Sequence, residues 1–267
     1  MSSADTPGEP RTATSGTVFA LIAQGAKRLA VGDRVYDYRA GQYLIASVDV
    51  PVTGHYTQAS PRQPALGFGL VLQPATTASL LLEVDPGTSR QIRAAPSALG
   101  VGDAGPELLD AVIRMVTLLD APSDRPVLAP MLEREIMWRL LTGPLGSTLQ
   151  QIGRADSSTT HISRAVRWIN EHFADPFRVD DLARMCGMST SAFHRTFRAV
   201  TGLSPIQFQK QVRLHNSRLR LITGVDDVAT VGFQVGYDSI SQFSREYRRK
   251  FGLPPGRDAA RLRADVL

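Results

Sequence analysis

The sequence predicts a two-domain α+β chain: a small β-sandwich or barrel with helices packed behind it, then an all-α domain in which a long helix joins two helix-turn-helix units. Three observations carry this. Residues 17–72 alternate short apolar runs with Gly and Pro turn signals. From residue 162 onward the texture is helical throughout. One segment is also written twice, fifty positions apart. STSAFHRTFRAVTGLSP (189–205) and SISQFSREYRRKFGLPP (239–255) share Ser189/Ser239, Phe193/Phe243, Arg195/Arg245, Gly202/Gly252, Leu203/Leu253 and Pro205/Pro255 without a gap, and Phe197 stands opposite Tyr247.

Residues 1–16 lack the apolar stretch of a signal peptide and read as a disordered lead. Strand candidates follow in TVFALIA, KRLAVGDRVYDY, QYLIASV, HYTQAS and LGFGLVL; Gly32-Asp33 marks a hairpin flanked by Leu29, Val31 and Val35 at period two. Pro74 opens a short helix over 74–84, and QIRAAPSA (91–98) reads as one more strand. Two longer helices come next. Residues 106–120 place Leu108, Val112, Met115 or Val116, and Leu119 on one face; residues 125–143 place Leu128, Leu132, Ile136 and Leu140 at i,i+4 spacing, with Met131 and Trp138 beside them. These stripes either pack as core against the sheet or meet a second copy of the chain. Residues 17–143 thus form one domain, and the polar stretch 144–160 reads as a linker with one or two helical turns.

The second domain spans 161–260, with a tail over 261–267. ISRAVRWINEHF carries Ile162, Val166, Ile169 and Phe173 on a helix that Asp175-Pro176 ends. A short helix over 179–188, a turn at Gly187, and a helix capped by Ser189 make a helix-turn-helix at about 179–202. The pattern recurs at about 227–252, with Gly236 at the turn and Ser239 as cap; this second turn has one extra residue. The connecting helix over 205–224 spans roughly 28 Å at 1.5 Å per residue. Successive major-groove faces of B-DNA lie about 34 Å apart, so this strut has roughly the reach to set two recognition helices in adjacent grooves.

Charge agrees with that geometry. Residues 161–267 hold 17 Lys+Arg against 10 Asp+Glu, a net of +7, while residues 1–160 hold 13 against 15, a net of −2. A polyanion partner for the second half alone is the reading. Within each recognition helix the aromatic pair, Phe193/Phe197 or Phe243/Tyr247, points inward. The remaining faces carry Ser191, His194, Arg195 and Arg198 in the first, and Ile240, Ser241, Gln242, Arg245, Arg248 and Arg249 in the second. Arg suits guanine and Gln suits adenine. Arg198, Arg248, Arg249 and Lys250 suit phosphate, as do the helix N-termini capped by Ser189 and Ser239.

Other classes fit less well. No run of eighteen apolar residues exists to span a membrane. Residues 1–160 contain one histidine, His55, too few for a two-His-one-carboxylate metal site, and no GxxxxGK[ST] phosphate loop. No metal or cofactor is expected, and a cupin-like enzyme is the remote alternative. The single cysteine, Cys186, cannot form an internal disulfide, in keeping with a reducing cytoplasm; it reads as core, with redox sensing as the alternative.

Residues 162–260 resemble the AraC/XylS family of bacterial transcription regulators. DDLARMCGMSTSAFHRTFRAVTGLSPIQFQKQVRLHNSRLRLIT and VGFQVGYDSISQFSREYRRKFGLPP carry the resemblance, the second through Gly232-Phe233, Gly236-Tyr237, Phe243, Arg245, Tyr247, Phe251-Gly252 and Pro254-Pro255. It implies base-contacting positions at Ser191, His194 and Arg195, and at Ile240, Ser241, Gln242 and Arg245, with Ile240 apolar where a polar reader could stand. GAKRLAVGDRVYDYRAGQYLIASVDVPVTGHYTQASPRQPALGFGL resembles the effector domain of a subgroup of that family, a cupin-like β-barrel with helices behind. The resemblance implies a one-component regulator of promoter DNA whose first domain binds a small effector, dimerises through its helices, or both, with RNA polymerase as a further partner. A regulator controlled by its abundance or by a protein partner, without ligand, is the alternative. Tyr36, Tyr38, Tyr43, His55, Tyr56 and Phe68 are the effector-pocket candidates.

Overall fold

Alternating burial along short strands builds the first half of the chain. The computed structural model describes residues 2–8, 11–32, 34–83, 99–153, 158–223 and 227–264. Its strands form two antiparallel sheets. In the five-stranded sheet the order is β1 (Ser2–Ala4), β8 (Ala65–Val71), β3 (Val18–Gln24), β6 (Gln42–Ala46), β9 (Leu99–Asp103). In the four-stranded sheet it is β2 (Arg11–Thr14), β7 (Pro51–Gln58), β4 (Ala26–Val31), β5 (Arg34–Arg39). Among the described residues no ladder joins the sheets into one closed barrel.

Residues 1–16, expected to be a disordered lead, instead supply β1 and β2. Ser2 pairs with Gly67 and Arg11 with Gly54. Edge strands attach through backbone hydrogen bonds, which polar Ser and Thr residues make as well as apolar ones. The β4–β5 hairpin closes with Val31 opposite Arg34. This register sets Val35 opposite Ala30, so Val35 is 59% exposed while Leu29 and Val31 are buried. The expected strand at 91–98 lies outside the described residues.

The helices of this half are α1 (Pro74–Glu83), α2 (Pro106–Thr117), α3 (Arg125–Thr142) and α4 (Gly146–Gly153). Their core joins Phe19, Leu21, Tyr43 and Ile45 of the five-stranded sheet to Leu80, Leu108, Val112, Ile136, Met137, Leu140 and Leu149. The 3₁₀ turn at Leu118–Asp120 advances the phase of the chain beyond α2. Leu118 is buried in consequence and Leu119 is exposed. On α3 the two readings of the apolar stripe divide along the helix: Leu132, Ile136 and Leu140 are core, whereas Val127, Leu128 and Met131 are exposed. The stretch expected to be a linker holds α4, whose Leu149 is fully buried.

The chain divides into two compact units, residues 1–163 with 199–202, and residues 164–198 with 203–267. The helices that follow α4 are α5 (Ser158–Glu171), α6 (Val179–Met185), α7 (Thr190–Thr201), α8 (Pro205–Thr223), α9 (Val228–Gln234), α10 (Ile240–Phe251) and α11 (Pro255–Ala264). α11 extends through most of the expected tail.

The α6–α7 unit buries Leu182, Ala183, Cys186, Phe193 and Phe197; Phe197 meets Phe208 of α8 edge-on at 5.6 Å between ring centroids. The α9–α10 unit buries Val231, Val235, Tyr237, Phe243 and Tyr247 against Leu214 and Leu221 of α8 and Ala259 of α11. α8 opens with a reciprocal cap. Gln207 N donates to Ser204 Oγ at 3.3 Å, and Ser204 N donates to Gln207 Oε1 at 3.0 Å.

Candidate nucleic-acid interface

Each recognition helix is set by its turn and its cap. Gly187 and Gly236 hold φ of 66° and 88° in the turns, and Gly202 and Gly252 hold φ of 74° and 80° beyond the ends of α7 and α10. Left-handed backbone recurs at both pairs of duplicated glycines. A Cβ on Gly236 would lie 2.1 Å from the carbonyl oxygen of Ala174, so that turn admits no side chain. Ser189 Oγ accepts from Ala192 N, and Ser239 Oγ accepts from Gln242 N, each at 3.4 Å. Asp227 caps α9, accepting from Thr230 N at 2.6 Å. Thr190 Oγ1 donates to Asp180 Oδ1 at 2.8 Å, tying the first turn of α7 to that of α6.

On α7 the exposed residues Ser191, His194, Arg195 and Arg198 fall at i, i+3, i+4 and i+7, one face of a helix. On α10 Ser241, Arg245, Arg248 and Arg249 are exposed along one face in the same way, and Ser189 and Ser239 are exposed at the helix starts. Four exposed pairs keep the fifty-residue offset: Ser189/Ser239, Ser191/Ser241, Arg195/Arg245 and Arg198/Arg248. Ile240 and Gln242 are half-buried, and Gln242 Nε2 donates to Glu246 Oε1 at 3.3 Å. Lys250 is half-buried too, and burial lowers its pKa. It lines the same groove as Lys210 and Gln211 of α8, a cavity of about 280 Å³.

Several cations that read as surface charge from the sequence are internal ties. Arg213 of α8 donates from Nε to Phe173 O at 2.7 Å, from Nη1 to Gly236 O at 2.6 Å and from Nη2 to Ala174 O at 3.0 Å. Gln209, one turn earlier, donates to Phe173 O and Asp175 O. Together they satisfy carbonyls of the turn that follows α5 and, through Arg213, fasten the turn of the second unit to the strut. Arg218 Nε donates to Asp258 Oδ2 at 2.8 Å, and Tyr247 OH donates to the same oxygen at 2.9 Å. Asp258 is fully buried. Burial raises its pKa, but the bonds from Arg218 and Tyr247 outweigh this and hold it below the ordinary carboxylate range.

The effector-pocket candidates do not converge. Cross-strand pairing puts Tyr38 and Tyr56 opposite Lys27, and Tyr36 opposite Leu29, on one face of the four-stranded sheet. His55 lies on the other face, opposite Arg28, which pairs with Asp37 at 2.7 Å. Tyr43 and Phe68 belong to the five-stranded sheet and pack around Phe19 in the core beneath the helices. Lys27 was not foreseen: it is half-buried, with its ammonium 5.3 Å from the centroid of the Tyr56 ring, and burial lowers its pKa.

Among the described residues, no group of three His, Cys, Asp or Glu is placed to hold a metal ion, and no helix is long and apolar enough to cross a membrane. Cys186 is buried, and burial raises its thiol pKa.

Comparison with known proteins agrees with this geometry. A family described as AraC-type transcriptional regulator N-terminus matches residues 1–148, and one described as helix-turn-helix domain matches residues 182–261. The transcriptional activator RhaS of Escherichia fergusonii is 29% identical over 159 residues, 57% of this chain and 56% of that protein. The transcriptional regulator ExsA of Pseudomonas aeruginosa is 26% identical over 132 residues, 49% of this chain and 47% of that protein. The match thus spans about half the length of these curated relatives. In fold, the chain is similar to ToxT of Vibrio cholerae, crystallised with an unsaturated fatty acid: TM-score 0.57 over 96% of this chain and 92% of that one, at 11% identity. With the N-terminal family matching 148 of 267 residues and a helix-turn-helix match behind it, the chain belongs to the AraC-type transcriptional regulators.

Proposed function

We propose that the chain is a one-component regulator that reads promoter DNA through α7 and α10 and governs that reading through its first unit. The carrying observation is the pair of exposed, Arg-bearing helix faces in one frame, both packed on α8. Ser191, His194, Arg195, Ser241, Gln242 and Arg245 take base edges, with Ile240 against a thymine methyl. Ser189, Ser239, Arg198, Arg248 and Arg249 take phosphate, and Lys250 joins them at the rim of its groove. The DNA-binding domain runs from about residue 161 to α11, and the regulator works in the cytoplasm with RNA polymerase as partner. Binding of the full-length protein to a pool of random duplexes, followed by sequencing of the retained fraction, tests the assignment. Enrichment of a motif spanning two adjacent major grooves supports it; retention without any sequence preference defeats it.

The first unit serves as a cupin-like effector and dimerisation domain. Two observations support an effector that joins an apolar body to a carboxylate: the similar fold of ToxT holds an unsaturated fatty acid, and the half-buried Lys27 shares a sheet face with Tyr38 and Tyr56. A thermal-shift series with long-chain fatty acids tests this, since a ligand of the native state raises the melting temperature by mass action. No shift for any of them, or an unchanged shift in Lys27→Met, rejects this effector class. The exposed Val127, Leu128 and Met131 on α3 support pairing with a second copy. Sedimentation of Met131→Glu against the parent protein tests that pairing.

A further inference from the structure

We infer that Glu246 fixes the side-chain amide of Gln242 for adenine, and so acts as a positioning residue of the second recognition helix without touching a base. The inference rests on the DNA-reading assignment above. Gln242 and Glu246 are one turn apart on α10, and Gln242 Nε2 donates to Glu246 Oε1 at 3.3 Å. An ionised carboxylate accepts but cannot donate. Of the two orientations of the Gln242 amide, only the one with nitrogen toward Glu246 makes this bond.

Glu246 is itself held in place. It is 7% exposed, Lys210 Nζ donates to its Oε1 at 2.9 Å, and Tyr237 OH donates to its Oε2 at 3.0 Å. Burial pushes its pKa up, but the bonds from Lys210, Gln242 and Tyr237 outweigh burial and hold it low, so it stays an acceptor at neutral pH. The Gln242 amide is left with its carbonyl oxygen and a second N–H. That pair complements the N6 amino group and N7 of adenine, whereas guanine would set its O6 acceptor against the amide oxygen. Lys210 belongs to α8, so the orientation of this reader is tied to the strut that carries both units.

The test selects from a pool of duplexes, randomised over two to three helical turns, with the full-length protein and with Glu246→Gln, Gln242→Ala, the double variant and Tyr237→Phe. The wild type is expected to enrich an A·T pair at one position that Gln242→Ala alone makes indifferent. Glu246→Gln, whose new amide can donate or accept, lowers preference at that same position by about tenfold. It also raises affinity for unrelated duplex, because a carboxylate is gone and Lys210 is released toward phosphate. The double variant loses nothing further at that position. Tyr237→Phe removes a different bond to Glu246; it lowers the melting temperature and leaves the preference unchanged. A Glu246→Gln profile identical to wild type overturns the inference, as does a G·C pair at the position that Gln242→Ala releases. If Glu246→Gln does not fold, the base pair released by Gln242→Ala decides. A wild type that enriches no motif refutes the DNA-reading assignment itself, and this inference with it.

Discussion

Arg213 Nη1 donates to the carbonyl oxygen of Gly236 at 2.6 Å, while its Nε and Nη2 take the carbonyls of Phe173 and Ala174. One guanidinium thereby joins the turn after α5, the strut α8 and the turn between α9 and α10. Arg213→Met keeps the aliphatic stem and takes the donor from the carbonyls of Ala174 and Gly236, while Phe173 O keeps Gln209. It should destabilise the chain by about 3 kcal/mol, because lost bonds to a charged donor leave partly buried acceptors unpaired. Urea unfolding followed by circular dichroism reads this directly. Arg198→Met, on an exposed face, should move the midpoint little.

Asp258 gives the second unit an acid limit. Its folded pKa lies below the ordinary value of 3.8, so its contribution is complete above that value and is lost as pH falls from it toward the folded pKa. Thermal melts taken at decreasing pH should steepen in their decline below about 3.8 in the wild type and less so in Asp258→Asn. At neutral pH, Asp258→Asn should cost on the order of 3 kcal/mol, since Arg218, with a side chain only 12% exposed, is left without its carboxylate.

The two recognition helices should separate base reading from phosphate grip. Arg195→Ala and Arg245→Ala are each expected to lose about 1–3 kcal/mol on the selected site and to relax discrimination at one base pair. Arg249→Ala should weaken all sequences alike and reduce the salt slope of binding by about one. Gel-shift titrations over single-base variants at several salt concentrations check both; equal losses on every variant for all three arginines would contradict the division.

Positive φ is shared by Gly236 and Gly252, but their surroundings differ. Around Gly252 nothing lies within 4 Å of a would-be Cβ, so Gly252→Ala should cost only the left-handed backbone penalty, about 1 kcal/mol. At Gly236 the same methyl would collide with the backbone of Ala174, so Gly236→Ala should cost several times more. Denaturation midpoints of the two variants, measured side by side, give the ratio.

Cys186 is 1% exposed with a raised thiol pKa, so an aromatic disulfide reagent should label it only on unfolding. Cys186→Ser should leave any response of DNA binding to peroxide unchanged.

What the sequence disclosed follows its physical signals. The helix-turn-helix pair was legible because the duplication fixed the inward aromatics Phe193/Phe197 and Phe243/Tyr247 and the glycines in the turns. The exposed faces of α7 and α10 follow from the same 3.6-residue period. Arg213, Arg218 and Lys210 were not legible as ties, because an arginine or lysine in a polar helix gives no local hint that carbonyls or a carboxylate from 30 to 40 positions away will meet it. Gln242 looked like a free reader for the same reason. β1 and β2 escaped notice because edge pairing draws on the backbone, and the backbone has no composition. The six pocket candidates share only their residue type, and strand register alone sorts Tyr56 from its neighbour His55.

The strut α8 also constrains how relatives of this chain can diverge. Each residue added to a helix turns everything beyond it by about 100° and moves it 1.5 Å, so one insertion between Ser204 and Thr223 would swing the second unit out of phase with the first and break one side of the Arg213 tie, which holds Phe173 and Ala174 before α8 and Gly236 beyond it. If α7 and α10 read bases as proposed, descendants acquire new target words by exchanging side chains on those two helices, while the gap between the two words stays inherited.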